Sequence, residues 1–203
     1  MERVIAYVDG FNLYFGLKSK GWRRYYWLDI PMLARNLLKP DQRLLVTKYF
    51  TARIAGPPDK EKRQSTYIEA LQTRAGLEIL YGRYQLNPRL CTHCGFRDEV
   101  PNEKMTDVNM AVEMLKDAYR DGFDAALLIS ADSDLVPPVR AVRDLFPRKR
   151  VVVAAPPGRY SSALAGSASG SFVIGQTRIA RSLLPEEIEK PDGYVLRRPP
   201  LWR

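Results

Sequence analysis

The sequence predicts an α/β protein with a mostly parallel central sheet flanked by helices. Three observations carry this. Short, continuous apolar runs at residues 3–8, 125–130 and 150–155 read as strands buried on both faces. Stretches of helical periodicity separate the strands. Strand and helix alternate along the chain, which is the pattern of crossover connections between parallel strands rather than of successive hairpins.

Each element has a local reason. Residues 3–8 form the first strand and end at Asp9, and residues 11–19 follow as a helix. Asp29 before Ile30-Pro31 starts a second helix that runs to about Leu38, because proline suits the first helical turn. Residues 43–54, rich in Val, Tyr, Phe and Thr, read as the second strand, and Gly56-Pro57-Pro58 breaks it. A polar amphipathic helix over 59–74 stops at Gly76, and 77–86 reads as a third strand. Residues 87–105 lack clear periodicity and form a cysteine-containing insertion, read as a hairpin-like excursion. From Thr106 to about Arg120, the stripe Val108, Ala111, Val112, Leu115, Ala118 and Tyr119 predicts the buried face of a helix. The strand over 125–130 leads into a helix over 135–146, whose first-turn amides can spare the hydrogens that Pro137 and Pro138 lack. A Val-rich strand over 150–155, a short helix at 161–167, a short strand at 172–174 and a helix at 177–184 follow. A single domain is expected over 1–185, with a basic, proline-containing tail over 186–203 that is loosely attached.

A chain of 203 residues suffices for one good-sized core. Its net charge of +9 favours a polyanionic partner, chiefly nucleic acid. Aromatics interleave with cations, as in Trp22-Arg23-Arg24-Tyr25-Tyr26-Trp27. That mixture suits phosphate contact with base stacking, and equally a core edge with arginines reaching out to water. No apolar run is long enough to span a bilayer, so no membrane partner is expected. The first residues lack the basic and apolar regions of a secretory leader, and a cytoplasmic location is the default expectation.

The two cysteines stand in Cys91-Thr92-His93-Cys94-Gly95. The spacing resembles half of a zinc knuckle, but tetrahedral zinc wants four ligands and His93 is the only histidine. A degenerate, weak knuckle at Cys91 and Cys94, or a surface hairpin, is expected over a closed zinc site. Sharing the site across a dimer would complete it. The tail, ending Pro200-Leu201-Trp202-Arg203, could dock on a second copy or another partner, so a homo-oligomer stays open.

The chemistry lies in the carboxylates. In a parallel sheet, sites form at the carboxyl ends of strands. Asp9 follows the first strand, Asp107 opens a helix, and Asp132 and Asp134 follow the strand ending at Ser130. Singly, each has a capping role: Asp9 for the next helix, Asp107 against its own helix dipole, Asp134 as an N-cap and Asp132 bracing the same turn. Together they place like charges close enough to require a counter-ion. Mg²⁺ or Mn²⁺ supplies it, since these ions prefer oxygen ligands and need only one or two protein carboxylates. The sequence has no GxxxxGK[ST] or GxGxxG phosphate loop and no Ser-His or Cys-His pair. A haloacid-dehalogenase-like phosphatase would need an acid at position 11, where Phe11 stands.

The pieces Asp9-Gly10-Phe11-Asn12, Lys104-Met105-Thr106-Asp107 and Ser130-Ala131-Asp132-Ser133-Asp134 resemble, in order and spacing, the NYN branch of the PIN-like nuclease superfamily, in particular its bacterial LabA-like group. The resemblance covers most of residues 3–184. It implies a Rossmann-like PIN-type fold and a metal-dependent ribonuclease, with an endonuclease expected. Asp9, Asp107, Asp132 and Asp134 would hold one or two Mg²⁺ or Mn²⁺ ions. Asn12 would orient Asp9 or contact substrate, Ser130 would support the acids, and Lys104 would contact phosphate. A metal-activated water would hydrolyse single-stranded or structured RNA, leaving a 5′ phosphate and a 3′ hydroxyl. Many relatives carry glycine after the lysine, where this chain has Met105. The competing reading is a non-catalytic RNA-binding or regulatory module that kept the fold.

Overall fold

The computed structural model describes residues 1–90 and 92–203, with backbone alone at 86, 87 and 98–103. The first strand, β1 (Glu2–Asp9), is buried over its last six residues. Its side chains alternate between two cores: Val4, Ala6 and Val8 face one, and Ile5 and Tyr7 face the other. Burial on both faces is what a continuous apolar strand needs, at roughly 1.5–3 kcal/mol for each large side chain.

Helix α1 (Gly10–Ser19) starts directly after β1, with Asp9 as its cap. Helix α2 (Ile30–Leu37) starts at Asp29, whose carboxylate accepts the Met32 amide at 2.8 Å, and Pro31 occupies its first turn as the sequence predicts. Strand β2 (Gln42–Thr51) runs parallel to β1. Helix α3 (Pro58–Gln72) returns the chain to β3 (Leu77–Tyr81), with Gly76 at φ +72° making the turn.

Beyond β3 the structure departs from expectation. The third strand does not run to residue 86: Gly82 interrupts it, and β4 (Arg83–Leu90) pairs antiparallel with β5 (Arg97–Lys104) in a separate two-stranded sheet. The excursion is thus a hairpin, and it starts earlier than the loss of periodicity suggests.

Helix α4 (Thr106–Tyr119) is placed as expected but rotated. Its buried residues are Thr106, Met110, Met114 and Ala118, while Val108, Val112 and Tyr119 are exposed. Two apolar stripes compete on this helix. The one that also carries Glu113 and Asp117 toward the sheet is the one that packs.

Strand β6 (Ala125–Ile129) is entirely buried, and after a 3-10 turn at Ser133–Leu135 comes α5 (Val136–Leu145). Strand β7 (Arg150–Ala155), α6 (Ser162–Ser167) capped by Ser161, β8 (Gly170–Val173) and α7 (Gln176–Ala180) complete the alternation. The six-stranded sheet has the order β3-β2-β1-β6-β7-β8, and every pairing is parallel. With the hairpin left out, this is the 3-2-1-4-5-6 order of the doubly wound fold.

The tail is not loosely attached. Strands β9 (Glu187–Glu189) and β10 (Val195–Arg197) pair, and Ile188, Leu196 and Trp202 join the core. Trp202 packs against Trp27 and Tyr67 at ring-centroid distances of 6.3 and 6.0 Å. The buried Arg198 donates to the Trp202 carbonyl at 2.5 Å and pairs with Glu186. Sequence position at the chain end argued for looseness, but one tryptophan and one paired arginine reverse that.

Candidate functional site

The strand order reverses between β1 and β6, so the connections that leave their carboxyl ends run to opposite faces of the sheet and open a crevice. The pairing of Val8 with Ile129 sets the next residues, Asp9 and Ser130, side by side. The Ser130 hydroxyl donates to one oxygen of Asp9 at 2.9 Å, and the Asn12 amide donates to the other at 2.8 Å. The Asn12 side-chain oxygen accepts the Ala131 amide at 3.1 Å, tying α1 to the loop after β6. The Asp132 amide donates to the Ser130 hydroxyl at 3.1 Å, and Asp132 in turn accepts the Asp134 amide at 3.0 Å. Asp132, rather than Asp134, therefore caps the 3-10 turn.

Asp9 is 5% exposed. Burial pushes its carboxyl up to about 7, the Asn12 and Ser130 hydrogen bonds pull it back, and the charges of Asp107 and Asp132 push it further up. Asp132 is tied to Asp9 through Ser130, and the negative charge of Asp107 acts on Asp9 from the start of α4. Asp107 is half-buried in the first turn of α4, and Asp132 is half-buried as well. Asp134 is exposed on the rim, held through its backbone amide. Lys104 is exposed at the end of β5, paired in register with Arg83 and two residues before the start of α4.

Two local backbone features shape the crevice. A Cβ at Gly10 would stand 2.7 Å from the Tyr49 ring and 2.8 Å from the Phe50 carbonyl, so only glycine lets α1 begin so close to β2. Met105 caps α4 with φ +76°, a left-handed conformation that costs a side-chain-bearing residue about 1 kcal/mol. Glycine at this position in relatives would meet the same geometry without that cost.

Tyr49 was not anticipated. Its hydroxyl is raised by burial, relieved by a hydrogen bond with Thr51 and raised again by the Asp9 charge. Its only sequence signal is its place one residue before Phe50, which pairs with Asp9 in the β1–β2 register. Of the cysteine pair, Cys94 is exposed with a free thiol, and Cys91 lies outside the described residues. Among the described residues, no three Asp, Glu, His or Cys side chains form a ready-made metal cage.

An all-parallel doubly wound sheet with a buried carboxylate, Asp9, at its switch point defines a Rossmann-like α/β protein. Within that class, the chain belongs to the NYN domain family, whose model matches residues 3–175. A relative from Pseudomonas putida, 6-hydroxy-3-succinoylpyridine 3-monooxygenase HspA, is 27% identical over 180 residues, covering 70% of this chain. The match spans about half of that relative's length, 55%. A crystal structure of a protein of unknown function, VPA0982 from Vibrio parahaemolyticus, shares the fold with a TM-score of 0.57 at 18% identity. That likeness covers 90% of this chain and 96% of the other.

Proposed function

We propose that the protein is a divalent-cation-dependent ribonuclease, acting as an endonuclease on single-stranded or structured RNA. The observation that carries this reading is Asp9: a buried carboxylate at the switch point of the sheet, bonded to the Ser130 hydroxyl and the Asn12 amide, and itself in no salt bridge among the described residues. Such a group calls for positive charge from outside the chain. The donor set fits Mg²⁺ or Mn²⁺, because each Asp9 oxygen keeps a free lone pair beside its one hydrogen bond, and Mg²⁺ needs only one or two carboxylates plus water. Asp9, Asp107 and Asp132 would hold the ion, with Asp134 at the rim. When bound, the ion would lower the pKa of a coordinated water and offset charge on the phosphoryl oxygens.

The chain's own residues do the positioning. Ser130 and the Asn12 amide fix both oxygens of Asp9, and Ser130 and Asn12 together set the backbone of residues 131 and 132. Lys104 would meet a phosphate of the strand, and the chain's net charge of +9 would draw RNA in.

The test is cleavage of end-labelled RNA in Mn²⁺, Mg²⁺ and EDTA, with Asp132→Asn beside the parent. Cleavage that requires a divalent ion and falls at least on the order of a hundredfold in the variant supports the reading. Binding without cleavage in either metal overturns it, leaving an RNA-binding module.

A further inference from the structure

A cavity of about 920 Å³ opens beside the acids, and Gly10 and Phe11, the two residues after Asp9, form part of its wall. Its lining holds four cations, Lys18, Arg23, Lys60 and Arg63, and no carboxylate. None of the four forms a salt bridge among the described residues, although the chain's salt bridges are otherwise plentiful. The charge of the cavity is thus uncompensated and of one sign.

Its other component is a run of aromatic rings in contact. Phe11 stacks on Phe15 at 6.5 Å, Phe15 meets Tyr14 at 5.3 Å, Tyr14 meets Tyr26 at 4.9 Å, and Tyr26 meets Trp202 at 5.8 Å. The run leads from the residue next to the acidic crevice to the docked tail. Tyr14 and Phe15 are 38% and 44% exposed, so they are not simply core. The Lys18 ammonium already lies 5.8 Å from the Phe15 ring centroid, and partly exposed rings beside cations that form no salt bridge among the described residues are complementary to a planar ring that carries negative charge.

We propose that this cavity is a nucleotide subsite, taking an unpaired base of the RNA strand among its aromatic rings and the adjoining phosphates on Lys18, Arg23, Lys60 and Arg63. The inference rests on the nuclease reading for the identity of the strand. It adds a substrate preference: the nucleotide beside the scissile phosphate must be unstacked, so single-stranded or looped RNA is accepted and a continuous duplex is not. A base already paired in a duplex cannot present its face to Phe15 or Tyr14.

The experiment is fluorescence anisotropy in EDTA, where no cleavage occurs, with a labelled short oligouridylate and with a labelled duplex. The proteins are the parent, Asp132→Asn, Phe15→Ala, Tyr14→Ala and the double variant Arg23→Ala with Arg63→Ala. Phe15 and Tyr14 are partly exposed, so their truncation leaves the core in place, and circular dichroism checks this. Phe15→Ala and Tyr14→Ala are expected to weaken single-strand binding on the order of tenfold each while leaving duplex binding unchanged. The arginine variant should lower the slope of binding against salt by about 0.7 for each phosphate that is no longer neutralised. Asp132→Asn, which removes a negative charge from the crevice, should bind the strand more tightly than the parent in EDTA. Variants that bind the strand like the parent, or that weaken on strand and duplex equally, would overturn the subsite. So would displacement of the strand by nicotinate at lower concentration than by uridine monophosphate, which would assign the cavity to a small aromatic acid. The two readings separate cleanly. Cavity-dependent binding with no cleavage in Mn²⁺ or Mg²⁺ removes the nuclease and keeps the subsite; metal-dependent cleavage indifferent to the cavity variants does the reverse.

Discussion

On one face of the sheet, Tyr7 and Lys48 meet Glu113 and Asp117; at the end of the same strand as Tyr7, Asp9 meets Ser130 and feels the charges of Asp107 and Asp132. Helix α4 supplies acids to both groups. In the first, the Lys48 ammonium stands 2.6 Å from Glu113 and 2.7 Å from Asp117, and the Tyr7 hydroxyl donates to Asp117 at 2.7 Å. Burial raises Glu113, but its hydrogen bonds from Lys116 and Lys48 outweigh this and hold it below the usual range. Lys48, penalised by burial, is raised overall by Asp117 and Glu113. In the second group burial prevails, and Asp9 rises to about 7. The first group carries its own cation, whereas Asp9 is buried on hydrogen bonds from Ser130 and Asn12 and forms no salt bridge among the described residues.

The strongest way to break the comparison is to remove the cation. Lys48→Met would remove the buried cation between two half-buried carboxylates, leaving Glu113 to Lys116 and Asp117 to the Tyr7 hydroxyl, and a loss of about 3–5 kcal/mol is expected in urea denaturation. Asp9→Asn should act in the opposite direction. A carboxyl whose folded pKa is raised lends stability below its unfolded value, near 3.8, and loses it as pH rises through about 7. The parent should therefore weaken between those pH values, and the variant should not. In EDTA at pH 8 the variant is expected to be more stable by up to about 4 kcal/mol, with the gain vanishing toward pH 4. If both proteins show the same pH profile, the Asp9 cluster is not under electrostatic load.

A smaller effect sharpens the contrast. Mn²⁺ at ten times its dissociation constant should stabilise the parent by about 1.4 kcal/mol, a rise of roughly 3–5 °C in Tm, and should do nothing for Asp132→Asn. Lys48→Met should keep this response, since its own cluster lies elsewhere. The smallest effect concerns the start of α4, which serves both clusters. Met105→Gly should stabilise by about 1 kcal/mol in a thermal melt through relief of the left-handed backbone, and a loss instead would show that the Met105 side chain matters.

Much of this was legible in the sequence because it was local. Asp29 with Pro31, the all-apolar β6 and the residues around Asp9 and Ser130 each announce their conformation within a few positions. The approach of Asp9 to Ser130 and the loop carrying Asp132 was readable from the rule that sites form at the carboxyl ends of parallel strands. What escaped depended on distant partners. The rotation of α4 follows from Lys48, a buried lysine on β2 that draws Glu113 and Asp117 inward and leaves Val108 and Val112 in water. The end of β3 at Gly82 is invisible in a sequence whose alternation continues past it. Tyr49 and the ring run from Phe11 to Trp202 required the fold itself, since Tyr14 and Tyr26 meet only once the chain has turned back.

The docked tail has a consequence for the order of synthesis. All six strands of the central sheet lie within residues 2–173, so every acid of the crevice can be in place while the following segment is still inside the ribosome. Trp202, which closes the aromatic run and borders the cavity, emerges only afterwards. A chain still being translated would therefore assemble its six-stranded sheet first and complete the aromatic wall of the cavity later.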